Sequence, residues 1–243
     1  MWNLDSGTEL RKLEAQENLF GDVLIALLPD NRHLAACRAS DLYVHLFDVE
    51  TGKEIKSVRV TNGAFERTTY NACFCRSLAF TPDAKRLVTA GYRDLSVFDM
   101  ASRMQFHGVL GPGQRFQGAN CLAVSHDGEL ALIGGQEAVL RLYDINPRSD
   151  RLPQIALAEF KGHTGPITSV AFSPDGTRAL SSGEKYSDRP GDYTVRLWDV
   201  KTTKEICHLE GHTSVIHAVA FSPNGRQAIT AGIHGIRIWP LPE

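Results

Sequence analysis

Residues 161–176 read KGHTGPITSVAFSPDG and residues 210–225 read EGHTSVIHAVAFSPNG, so ten of sixteen positions agree across an offset of 49. A phrase written twice at that spacing restricts the chain to folds assembled from one recurring unit. Three markers carry the unit along the whole sequence. The first is a turn signal, LPDN at 28–31, TPDA at 81–84, SHDG at 125–128, SPDG at 173–176 and SPNG at 222–225. Proline presets φ there, and Asp, Asn and Gly accept the conformations that follow. The second is a run of small residues shortly afterwards: AAC at 35–37, TAG at 89–91, IGG at 133–135, SSG at 181–183 and TAG at 230–232. The third is an aromatic closing an alternating run, usually with Asp behind it, as in LYVHLFD, LSVFD, VLRLYD, TVRLWD and IRIWP.

Those aromatics are Phe47, Phe98, Tyr143, Trp198 and Trp239; with Trp2 they are spaced 45, 51, 45, 55 and 41 residues apart. The spacing predicts one domain over residues 1–243 made of five units, 2–47, 48–98, 99–143, 144–198 and 199–241. Each unit holds short β-branched and aromatic segments separated by Gly, Pro or Asn, the pattern of strands. In the fifth they are KEICHL, VIHAVAF, RQAIT and GIRIW. No stretch carries a 3.6-residue apolar period over helical length, so an all-β array follows. VLIAL (23–27) is apolar at every position and is expected to be an inner strand covered on both faces.

Composition removes several function classes. A formal charge of −2 offers no bulk attraction to nucleic acid or an anionic membrane. The longest apolar run, Val23–Leu28, is far too short to span a bilayer. No charged-then-apolar leader opens the sequence, and five cysteines without framework spacing read as reduced thiols. The expected location is therefore the cytoplasm.

The GH…SPDG…TVRLWD grammar resembles the WD-repeat (WD40) β-propeller family across residues 2–241, and in particular the repeats of bacterial WD-repeat proteins. The last two repeats match it closely; the first three keep the turn and the terminal aromatic-Asp but lack the Gly-His. The resemblance implies four-stranded antiparallel blades set around a channel. It also implies that the sequence repeat is offset from the blade, so that Thr8–Glu14 would pair beside Gly235–Trp239 and close a five-bladed ring. An open arc, or a piece of a larger six- to eight-bladed propeller, fits the same spacing.

His163, Ser181, Asp192 and Trp198 all lie in the fourth repeat. A Ser, a His and an Asp together invite a hydrolase reading. The resemblance implies instead a structural hydrogen-bond chain running Asp192, His163, Ser181, Trp198. The fifth repeat keeps His212, Thr230 and Trp239 but has no Asp in its shortened IHG turn; the second has Thr89 and Asp94 without the histidine. Cys73 and Cys75 lack the second pair a structural zinc site needs, and GPGQRFQG lacks the Lys-Ser/Thr of a phosphate-binding loop, so neither metal nor cofactor is expected.

Departures from the period are where individual function can reside. The second, third and fourth repeats carry about ten, three and seven extra residues in loops that the resemblance sets on one face. Those loops hold Phe65, Arg67, Tyr70, Arg115, Phe116, Tyr186 and Arg189. Aromatics and arginines are enriched at interface centres, so a protein- or peptide-binding rim is expected. The expected function is a non-enzymatic scaffold. The alternatives are a propeller hydrolase or lactonase with a metal at the channel mouth, and a purely structural fragment of a larger signalling protein.

Overall fold

The turn phrase sets the strand ends, and from the second repeat to the fifth it does so by one mechanism. In the computed structural model, which describes residues 8, 23–38, 43–59, 75–91, 95–100, 106–107, 118–146, 156–184 and 192–242, SPDG forms a tight reversal. Ser173 Oγ donates to Asp175 Oδ1 at 2.5 Å and accepts the Arg178 N–H at 2.9 Å, while Gly176 N–H returns to Ser173 O at 2.9 Å. Gly176 sits at φ +72°, a left-handed conformation that only glycine enters freely. Asn31 and Ala84 stand at the same place in their repeats and take φ of 55° and 57°. The Asp behind the closing aromatic has its own task. Asp199 Oδ1 accepts the Thr202 N–H at 2.6 Å, and Asp48 Oδ1 accepts the Thr51 N–H at 2.7 Å, capping the turn into the next strand.

Every regular element among the described residues is a strand, and the strands form five antiparallel sheets. The first sheet contains β1 (Val23–Leu27), β2 (His33–Arg38), β3 (Tyr43–Asp48) and β4 (Glu54–Arg59) in chain order. The second contains β5 (Cys75–Phe80), β6 (Arg86–Gly91), β7 (Leu95–Asp99) and the short β8 (Phe106–His107). The third has β9 (Ala119–Val124), β10 (Leu130–Gly135), β11 (Val139–Asp144) and β12 (Ala158–Lys161). The fourth has β13 (Ile167–Phe172), β14 (Arg178–Gly183), β15 (Val195–Asp199) and β16 (Glu205–Leu209). The fifth has β17 (Ile216–Phe221), β18 (Gln227–Gly232) and β19 (Gly235–Pro240). A fourth strand for that sheet from Thr8–Glu14 lies outside the described residues except for Thr8 itself.

The core is not one mass but a layer between each sheet and the next. Ala35, Cys37 and Val44 of the first sheet meet Leu78, Leu87 and Phe98 of the second. Val88 and Val97 meet Leu122 and Ile133 of the third, whose Leu132, Leu140 and Phe160 meet Ile167, Val170 and Trp198 of the fourth. Leu180, Val195 and Leu197 then meet Ile216, Val219 and Ala228 of the fifth. Alternate residues of a strand face opposite sides, so one strand serves two layers: Ala179 points back to the third sheet and Leu180 forward to the fifth.

The expectation for VLIAL needs correction. β1 buries Leu24 and Ala26 against the second sheet, whereas Val23, Ile25 and Leu27 on its other face are exposed. Coverage of both faces requires a sheet on each side, and among the described residues the first sheet has one.

Candidate functional site

The fourth sheet holds the polar cluster. β14 carries Ser181 in its interior, opposite Val170 on β13 and Arg196 on β15. β15 carries Trp198, the loop before β13 carries His163, and Asp192 precedes β15. The fold brings all four together. His163 Nδ1 lies 2.7 Å from Asp192 Oδ2, and its Nε2 lies 2.7 Å from Ser181 Oγ. The Trp198 indole N–H donates to the same Ser181 Oγ at 2.8 Å. Asp192 also accepts the Thr164 N–H at 2.7 Å and the Thr194 hydroxyl. A carboxylate only accepts, so Nδ1 carries the ring proton; Ser181 accepts from Trp198 and its own O–H is left for Nε2. The hydrogen bonds thus run in one direction from indole to carboxylate.

These residue types and this connectivity are those of a hydrolytic triad, so exposure must decide what the cluster can do. Ser181 is 0% exposed, and the His163 and Asp192 side chains are 0% and 2% exposed. Trp198, packed edge-on against Phe160 with centroids 5.7 Å apart, covers the hydroxyl. No face of Ser181 is left for a carbonyl carbon. Burial pushes the Asp192 carboxyl up, but the hydrogen bond from His163, with the Thr194 and Thr164 donors, outweighs it and holds the group well below the usual carboxylate range.

A carboxyl with a depressed folded pKa contributes stability that is present above the unfolded value, about 3.9, and lost as pH falls through the folded value. Asp192→Asn is therefore expected to be less stable than the parent at pH 7 and to approach it at strongly acid pH. Urea unfolding at several pH values checks this; a stability gap that does not narrow on acidification contradicts it.

The fifth sheet repeats the arrangement without its acid. His212 Nε2 lies 2.7 Å from Thr230 Oγ1, which accepts the Trp239 indole N–H at 2.9 Å. Burial and the neighbouring positive charge of Arg237 lower the His212 pKa. In the second sheet Thr89 is buried in β6, while Asp94 lies outside the described residues. All seven loop residues expected to bind a partner, Phe65, Arg67, Tyr70, Arg115, Phe116, Tyr186 and Arg189, also lie outside them. Among the described residues no three His, Cys, Asp or Glu side chains are grouped so as to hold a metal ion.

Sequence reasoning missed the polar ties between sheets. Arg86 Nη2 donates to Gly128 O at 2.9 Å and its Nη1 to Ile145 O, gripping two turns of the third sheet. Arg178, at the same place in the fourth repeat, reaches Gly225 O at 2.8 Å and Pro242 O at 2.9 Å in the fifth. Thr168 Oγ1 donates to Ile216 O at 2.6 Å, and Ser169 Oγ accepts the Val219 N–H at 3.1 Å. The one signal available was an arginine just after the turn, in TPDAKR and SPDGTR.

The family model for the WD domain, G-beta repeat, matches residues 155–199 and 203–239. The chain carries WD repeats. Each matched stretch begins with the outer strand of one sheet, β12 or β16, and continues through three strands of the next, so the WD repeat and the sheet are out of step by one strand. Among similar proteins, the serine-threonine kinase receptor-associated protein of Homo sapiens is 28% identical over 68% of this chain and 39% of its own length. The anaphase-promoting complex subunit cdc20 of Dictyostelium discoideum is 22% identical over 86% of this chain and 40% of its own. Autophagy-related protein 16 of Arabidopsis thaliana is 29% identical over 85% and 35%. The chain thus spans about two fifths of the length of the curated relatives it matches.

Proposed function

We propose that this WD-repeat chain is a non-enzymatic interaction module that offers the loops around its sheets to a protein or peptide partner. The observation that carries the reading is the sealing of Ser181. The residue that would be a nucleophile has its oxygen occupied by the Trp198 indole and is itself 0% exposed, so the trio acts as internal bracing. The relatives add support: two are named for association with a receptor and for membership of a complex. The described cysteines carry thiols rather than disulfides, which favours a reducing compartment such as the cytoplasm.

The five sheets are read as consecutive blades of a propeller. Exposure of Ile25 on the first sheet and Ile236 on the last favours the open arc over the closed five-membered ring. Binding is assigned to the long loops bearing Phe65, Phe116 and Tyr186. Their simultaneous replacement by alanine should abolish capture of partners by the immobilised chain and leave the thermal transition unchanged. Undiminished capture removes the assignment to these loops, and labelling of Ser181 in the folded protein by a fluorophosphonate removes the non-enzymatic reading.

A further inference from the structure

In four of the five sheets the first strand breaks register once, and always at its second residue. Cys75 faces Gly91 and Ser77 faces Ala90, so Arg76 has no partner across the ladder; Asn120, Thr168 and His217 are passed over in the same way in β9, β13 and β17. Each is the extra residue of a β-bulge, a device that turns a side chain out of the regular alternation of its strand. The repeat provides for the bulge with a glycine ten residues after the start of the turn phrase. Gly91, Gly135, Gly183 and Gly232 lie opposite the residue just ahead of the bulge. A β-carbon at Gly135 would collide with Gly118 O, and one at Gly232 would stand 2.7 Å from Val215 O, in each case the residue leading into the first strand. The first sheet has Arg38 at that place, and there β1 pairs with β2 without interruption.

The side chains so turned form a line, because the first strands of successive sheets are neighbours. Arg76 Nη1 donates to Asn120 Oδ1 at 3.2 Å, Asn120 Nδ2 to Ile167 O at 3.2 Å, and Thr168 Oγ1 to Ile216 O at 2.6 Å. Gln136 Nε2 also donates to Asn120 Oδ1, at 3.3 Å. Two donors on its oxygen and a bond from its nitrogen fix the Asn120 amide, and through it the Arg76 guanidinium. Other arginines are spent within the fold. Arg32, Arg141 and Arg196 are each neutralised by a carboxylate, and Arg86 and Arg178 give both terminal nitrogens to main-chain carbonyls. Arg76 is exposed, is held by a neutral amide and forms no ion pair among the described residues. Glu137, beside Gln136, is taken up by Arg141. Arg76 thus presents its charge and its remaining N–H groups to solvent in a set direction.

We propose that Arg76, oriented by Asn120, receives an Asp or Glu side chain of an acidic peptide laid across the starts of the first strands. A guanidinium and a carboxylate match in charge and in shape, two parallel N–H donors meeting two oxygens. A guanidinium already held in place loses little rotamer freedom on binding. The polar groups stand in line across four sheets and not around a point, which suits an extended chain better than a small anion. Beyond Arg76 and Gln136 such a chain meets the exposed imidazole of His217. The stretches that carry the extra residues of the second and third repeats run directly into β5 and β9, beside the same line. This anchor rests on the interaction reading above and adds to it the chemistry of the partner.

The test selects random-sequence peptides displayed on phage against the whole chain, Arg76→Gln and Arg76→Glu, each immobilised. Arg76 is exposed, so both variants should unfold at the parent's thermal midpoint. The parent should select sequences that share an Asp or Glu, and Arg76→Glu should select Lys or Arg at the same position. A selected acidic peptide, synthesised with a fluorophore and an amidated C-terminus, should bind Arg76→Gln about tenfold more weakly by fluorescence anisotropy, the size expected for a charge-assisted pair. The peptide with its shared acid replaced by the amide should lose the same factor on the parent and nothing further on Arg76→Gln, as directly paired groups do. Asn120→Ala should weaken the acidic peptide and leave the amide peptide unchanged, a split that a merely structural role for Asn120 would not produce. Selected peptides without a shared acid, or an acidic peptide indifferent to Arg76→Gln, overturn the anchor and leave the interaction reading standing. A parent that selects no peptide removes both.

Discussion

Trp198→Ala is expected to lower stability by about 3–5 kcal/mol, the usual range for removing a fully buried large aromatic. For a domain of this size that corresponds to a fall in Tm of roughly 10 °C. The ring is 1% exposed, lies in the layer between the third and fourth sheets, and contacts Phe160 and His163. Its loss opens a cavity in that layer and also deprives Ser181 of the indole donor, a hydrogen bond of about 1 kcal/mol. Trp239 makes the equivalent bond to Thr230 and packs in the equivalent layer against the fourth sheet, but it is only partly buried, and among the described residues β19 has no outer partner strand of the kind β16 provides for β15. Trp239→Ala should therefore cost less than half as much. Thermal unfolding of the two variants side by side measures the difference; equal losses would contradict the idea that the outer strand of the sheet completes the burial of the closing aromatic.

Gly183→Ala should be nearly as damaging, for a steric reason that the small-residue runs already hint at. A β-carbon there would stand 2.7 Å from His163 Nδ1 and 2.8 Å from both the Cγ and the backbone oxygen of Asp192. None of these atoms is the end of a pliant side chain, so the methyl separates the buried His163–Asp192 pair or displaces the strand end. Overpacking together with a broken buried hydrogen bond amounts to about 3 kcal/mol. Gly176→Ala is the control. It meets nothing within 4 Å but holds φ at +72°, so only backbone strain of about 1 kcal/mol applies. Urea unfolding that ranks the two equally would mean that the close approach at Gly183 is not what the position requires.

Strand positions were legible in the sequence because local chemistry fixes them. The SPDG turn and the aromatic-Asp ending each form their bonds within a few residues, so their spacing alone marks where strands begin and stop. The residues of the polar cluster were legible as types but not as a function. Spacing cannot tell a triad from a brace, since the difference is the Trp198 indole arriving on Ser181 from a neighbouring strand. VLIAL failed for a related reason: its composition suits burial on both sides, but coverage depends on what lies beyond the sheet, which no local pattern encodes. Nothing local marks the role of Arg86 and Arg178, because their acceptors are 42–64 residues away in sequence.

Those two arginines have one more implication. Each guanidinium holds carbonyl oxygens of the adjoining sheet, Gly128 and Ile145 in one case and Gly225 and Pro242 in the other, and so addresses main chain that every amino acid shares. A fastening of that kind is indifferent to the neighbour's identity, which lets segments as dissimilar as SHDG and SPNG drift apart over generations while remaining interchangeable as tenants of the same position.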